Sequence, residues 1–73
     1  MKTMCELRMY LNRSQEELGD DVGVSKQWIS KIERGEDNAP EWLADAIAGK
    51  LGVDTDEIFE IESERRRFKV KKK

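Results

Sequence analysis

The stretch from Ser14 to Gly35, SQEELGDDVGVSKQWISKIERG, constrains the fold more than any other part of the chain. It reads as two short helices joined by a tight turn. Ser14 offers a side-chain oxygen to cap the first helix, and Glu17 follows three residues later, the spacing of a reciprocal capping box. Leu18 and Val22 lie four apart and share one helical face. Gly23 takes positive φ without steric penalty, so one helix can stop there and the chain can turn sharply into the next. Ser25 is a second candidate cap. Ile29 and Ile32 point to one side of the following helix, and Gly35 closes it. Gly19, inside the first helix, costs about 1 kcal/mol relative to alanine. A missing side chain there makes sense where another helix packs closely over it.

Size and charge narrow the field. Seventy-three residues allow one domain with a modest core. A single cysteine, Cys5, excludes an internal disulfide and a cysteine-based metal cluster. It sits in an amphipathic segment, where it is either a small hydrophobe or a reactive thiol. There is no histidine, no convergent nucleophile and base, and no glycine loop for phosphate, so an enzyme is not expected. Neither a cofactor nor a metal is expected. No apolar run approaches the roughly 18 residues of a membrane span, and no signal-peptide core is present, which points to a soluble, cytoplasmic chain. The net charge of −2 is unevenly divided. Residues 1–64 carry seven Lys/Arg against sixteen Asp/Glu, whereas residues 65–73 carry seven basic residues and no acid. Any nucleic-acid surface on the acidic body must therefore be local.

The flanking segments complete a helical pattern. Thr3 and Glu6 form a capping-box pair for a helix over residues 3–11, with Met4, Leu7 and Leu11 as its apolar stripe. Asn12 suits the left-handed position after it. Pro40 fits the first position of a helix over residues 40–51, with Leu43, Ile47 and Leu51 flanked by Ala44 and Ala48, and Gly52 as its stop. Trp42 either covers the core or stands at an interface. Asp54 and Glu57 cap a fifth helix, DTDEIFEI, through which Ile58 and Phe59 close the core. The expected architecture is all-α: a domain over residues 1–61, then a basic tail over residues 62–73. Phe68 and Val70 alternate with basic residues, as Phe59 and Ile61 do with acids. The tail is therefore a small hairpin, a strand exchanged between subunits, or a disordered basic segment.

A helix, a glycine turn and a second helix make a helix-turn-helix. The segment QEELGDDVGVSKQWISKIERG resembles the core of the Cro/cI-type phage repressors, the XRE family. The resemblance is carried by Gln15, Leu18, Gly19, Val22, Gly23, Val24, Ser25, Ile29, Ile32 and Glu33-Arg34-Gly35. Arg8 and the Leu51-Gly52-Val53 junction extend it to roughly residues 4–60. It implies a five-helix lambda-repressor-like fold and a salt bridge between Arg8 and Glu33. It also implies a phosphate contact from Gln15 and a dimer contact from the fifth helix. Arg13 departs from the family's usual small apolar residue, and Glu36 and Asp37 stand where basic residues are common.

With Ile29 and Ile32 inward, the recognition helix turns Lys26, Gln27, Trp28, Ser30 and Lys31 outward. The N-terminal part of such a helix enters the major groove. Glutamine pairs with adenine N6 and N7, and lysine reaches guanine O6 and N7. Lys26, Gln27, Ser30 and Lys31 are thus the expected base contacts. Gln15, Ser25, Trp28, Arg34 and Asn38 are the expected phosphate contacts, Trp28 alternatively only covering the core edge. The functional expectation is a transcriptional regulator of double-stranded DNA, a small repressor that binds a near-palindromic operator as a homodimer. The alternative is an antitoxin-like or adaptor protein-interaction module with weak DNA affinity, motivated by the acidic body.

Overall fold

The structure, a computed structural model, describes residues 3–62 and 67–71. Among them are five helices: α1 (Met4–Tyr10), α2 (Gln15–Val22), α3 (Lys26–Glu33), α4 (Glu41–Leu51) and α5 (Thr55–Ile58). Three short strands accompany them: β1 (Ala39–Pro40), β2 (Phe59–Glu62) and β3 (Arg67–Val70). Side chains that satisfy exposed backbone groups set the starts of α1, α2 and α3, whereas Asp54 precedes α5 without the expected side-chain cap. Thr3 and Glu6 close a capping box on α1, and Ser14 and Glu17 close another on α2. Hydrogen bonds from Ser14, first its backbone N–H and then its side chain, hold the Glu17 carboxyl below its ordinary value. Ser25 accepts from the Trp28 N–H at 3.2 Å and starts α3.

The turn between α2 and α3 depends on two glycines. Gly23 has φ +82°, and the Val24 N–H donates to the Gly19 carbonyl at 2.8 Å. A Cβ built on Gly19 would lie 2.7 Å from the Val24 carbonyl oxygen. The close neighbours of Gly19 are thus the backbone of the turn and of Lys26, where α3 begins. The first helix ends differently: Asn12 reverses the chain at φ +59°, a region asparagine tolerates.

α4 is the centre of the core. Leu43, Ala44 and Ile47 are fully buried, with Ala48 and Leu51 nearly so. Met4, Leu18, Ile29, Ile32, Ile58 and Phe59 converge on it. That burial supplies most of the driving force, since isolated helices of four to eleven residues are marginal in water.

The all-α expectation is corrected by the sheet. The strands run in the order β1-β3-β2, antiparallel throughout. β3 is central, setting Ala39 opposite Phe68 on one side and Phe59 opposite Val70 and Ile61 opposite Phe68 on the other. The fifth helix, expected to reach Ile61, stops at Ile58 because the alternation from Phe59 onward suits a strand with a partner available. Phe68 is nearly buried and meets Phe59 edge-on, with ring centroids 6.2 Å apart. Pro40 precedes α4 as its cap instead of opening it, and lies on the short outer strand, where its missing N–H is tolerated. Residues 67–70 of the basic tail therefore form a strand, with Phe68 in the core and Val70 packed against it, in place of the disordered reading. Residues 63–66 and 72–73 of the tail lie outside the described residues.

Phe68→Ala removes a core side chain from the central strand. It is expected to cost about 3 kcal/mol in urea unfolding, the lower end of the range for buried phenylalanine. An unchanged midpoint would show that the strand adds nothing to the fold.

Candidate nucleic-acid interface

One end of α3 is locked to the rest of the molecule. Glu33, at the C-terminal end of α3, faces the negative end of its own helix dipole and needs donors. Arg8 supplies two, through Nε at 2.7 Å and Nη2 at 3.3 Å, and Gln15 supplies a third through Nε2 at 3.0 Å. The side chains of Arg8 and Glu33 are only 11% and 5% exposed. Arg8 Nη1 also donates to the Arg13 carbonyl at 2.7 Å, closing the end of α1. The bond to Glu33 raises the Arg8 pKa above its ordinary value, against the opposing effect of burial. Helices α1, α2 and α3 thus meet at one carboxylate.

The other face of α3 is open. Ile29 and Ile32 are fully buried, while Lys26, Gln27 and Lys31 are exposed. Ser25, Gln27, Trp28 and Lys31 border a shallow hollow completed by Asp37. Trp28 is half-buried and meets Trp42 edge-on, with centroids 6.1 Å apart. Its indole Nε1 is buried without a hydrogen-bond partner. That nitrogen is turned away from solvent, and the ring packs against the edge of the core. Trp42 itself is 56% exposed.

Several of the expected contact residues have partners inside the chain. The Gln15 amide donates to Glu33, and the Ser25 hydroxyl caps α3. Asn38 donates through Nδ2 to Glu62 on β2, and its backbone N–H bonds the Asp37 carboxylate at 2.9 Å. Arg34 is gripped by Glu36, Nε to Oε2 at 2.8 Å and Nη2 to Oε1 at 3.0 Å, and its Nη1 donates to the Ser30 hydroxyl. This pairing lowers the Glu36 pKa and raises that of Arg34. The carboxylate therefore stays ionised at neutral pH, and its attraction for Arg34 is lost as pH falls through the lowered value. Lys26, Gln27 and Lys31 thus form the open part of the face, with Ser30 and Arg34 engaged beside it.

Sequence reasoning passed over three of these links. The donation from Gln15 to Glu33 depends on how α2 crosses α3, and the Asn38–Glu62 contact depends on the sheet. The Arg34–Glu36 pair had a visible signal: an arginine, a turn glycine and an acid in succession.

Similarity to known proteins agrees with this geometry. A family model described as a helix-turn-helix domain matches residues 4–60. A Bacillus subtilis (strain 168) protein described as the uncharacterized HTH-type transcriptional regulator YgzD is 36% identical over 59 residues. That alignment covers 81% of this chain and 89% of the relative. No solved structure matches.

Arg8→Ala leaves the Glu33 carboxylate largely buried with only Gln15 beside it. The expected loss is about 3–5 kcal/mol in chemical denaturation. Adding Glu33→Gln should recover part of it, because the uncompensated charge is gone. A single variant as stable as the parent would show that the bridge does not hold α3.

Proposed function

The chain belongs to the XRE-type helix-turn-helix family of DNA-binding proteins, and from that premise we propose that it is a small repressor of transcription. It acts without catalysis, by occupying a promoter in the cytoplasm of its host. The observation that carries this reading is the asymmetry of α3. Its inner face is fully buried and its C-terminal end is held by Arg8 and Gln15, while Lys26, Gln27 and Lys31 stand exposed on the outer face. A rigid helix presenting two lysines and an amide matches the chemistry of base edges in the major groove.

In this reading Lys26, Gln27 and Lys31 read bases, with Ser30 contributing once Arg34 releases its hydroxyl. Gln15 has a second amide hydrogen to offer a phosphate while the first stays on Glu33. Ser25 and Asn38 flank the helix as backbone contacts, and Arg34 adds a charge. Two copies related by a dyad would set two such helices one helical turn apart, about 34 Å, on a near-palindromic operator. No helix among the described residues is long and apolar enough to cross a membrane.

Lys26→Ala with Lys31→Ala removes both exposed cations and touches no core residue. Binding to the tightest duplex recovered for the parent chain should weaken at least about 30-fold, two base contacts being lost. Circular dichroism and the melting temperature should not change. Unaltered affinity in a folded double variant would sink the assigned face.

A further inference from the structure

The turn after α3 places an acid on the arginine that flanks the recognition face. Gly35 has φ +76°, and its N–H donates to the Ile32 carbonyl at 3.0 Å. The next N–H, that of Glu36, donates to the Lys31 carbonyl at 2.9 Å. These two bonds fold the chain back on the end of the helix, so the backbone holds Glu36 in place. Its carboxylate then meets the Arg34 guanidinium with two parallel bonds, at 2.8 and 3.0 Å. A guanidinium recognises carboxylate and phosphate through the same planar fork. Both side chains are half exposed, so the pair exchanges readily with an external anion.

Building on the DNA-binding reading above, we propose that Glu36 is a specificity determinant that occupies on Arg34 the place of a DNA phosphate. The carboxylate competes with every phosphate that approaches this arm, whatever the base sequence. It therefore discounts sequence-independent attraction. The base-reading residues Lys26, Gln27 and Lys31 are left to decide where the protein stays. Ser30 is part of the same switch, since its hydroxyl accepts from the same guanidinium. The approach of Lys31 adds to the electrostatic hold on Glu36. Phosphate contacts position a protein and base contacts specify its site, so weakening the first raises the relative weight of the second.

The test is a double-mutant cycle on the full chain: the parent, Glu36→Gln, Arg34→Gln and the double variant. Each is titrated with a duplex of about 20 base pairs of random sequence at several salt concentrations. Glu36→Gln should tighten binding about three- to fivefold at low salt, the range open to an exposed ion pair. Its log–log salt slope should steepen by about one, corresponding to one more neutralised phosphate. In the Arg34→Gln background the same change should have almost no effect. A gain of equal size in that background would overturn the proposal, because it would report only the removal of a negative charge near the duplex. Weaker binding by Glu36→Gln would overturn it too, by showing that Glu36 orients Arg34 toward DNA. If the parent binds and the cycle is flat, the proposal alone fails. If none of the four proteins binds this duplex or any duplex enriched from a random pool, the DNA-binding reading fails and takes the proposal with it.

Discussion

A single carboxylate, that of Glu33, fixes the orientation of α3. It accepts two bonds from Arg8 on α1 and one from Gln15 at the start of α2. Removing a charge pair of this kind from water costs nearly as much as its attraction returns, so its chief contribution is geometric. Three short helices packed by apolar contacts alone can slide and rotate, because dispersion and hydrophobic burial are non-directional. The fork of Arg8 has a required direction. It fixes the angle at which α3 leaves the core and hence the direction in which Lys26, Gln27 and Lys31 point. The Gly19–Val24 contact does the same for the turn, where the backbones approach too closely for any side chain.

Most of the helices were legible in the sequence because they carry local start or stop signals. Thr3–Glu6 and Ser14–Glu17 are local signals with local causes, and the apolar spacing of Leu43, Ile47 and Leu51 needs only one helix to be read. The sheet was legible only in part: the alternation of Phe59 with Ile61 and of Phe68 with Val70 left a hairpin open, but nothing pointed to β1. β1 is two residues long and holds a proline, and its partner Phe68 lies far along the chain from Ala39. Neither strand signals the other, and pairing appears only once α4 has brought the segments together. The same non-local pairing ends α5 at Ile58 and draws Phe59 into a strand. At the candidate site the exposed side chains of α3 followed from periodicity. The partners that occupy Arg34 and Asn38 did not, because they depend on how a turn and a strand edge place Glu36 and Glu62.

Charge distribution gives the molecule its character. Residues 1–64 carry sixteen acids against seven basic residues, and the exposed lysines of α3 are Lys26 and Lys31. The described part of the basic tail is also drawn inward: Lys69 lies 3.6 Å from Glu62, and Lys71 donates to the Asp56 carbonyl. Under the proposed competition by Glu36, loose attraction to phosphate is restrained beside α3, and these contacts on the sheet engage two further cations. In the proposed regulator, binding depends on fit between a rigid helix and a particular run of bases.

The most direct measurement of that account is selection of bound duplexes from a random pool by the full-length chain at near-physiological salt. The account predicts enrichment of one short sequence repeated about a dyad, with half-sites about one helical turn apart. Recovery of duplexes with no common sequence, from protein shown to be folded, would contradict it.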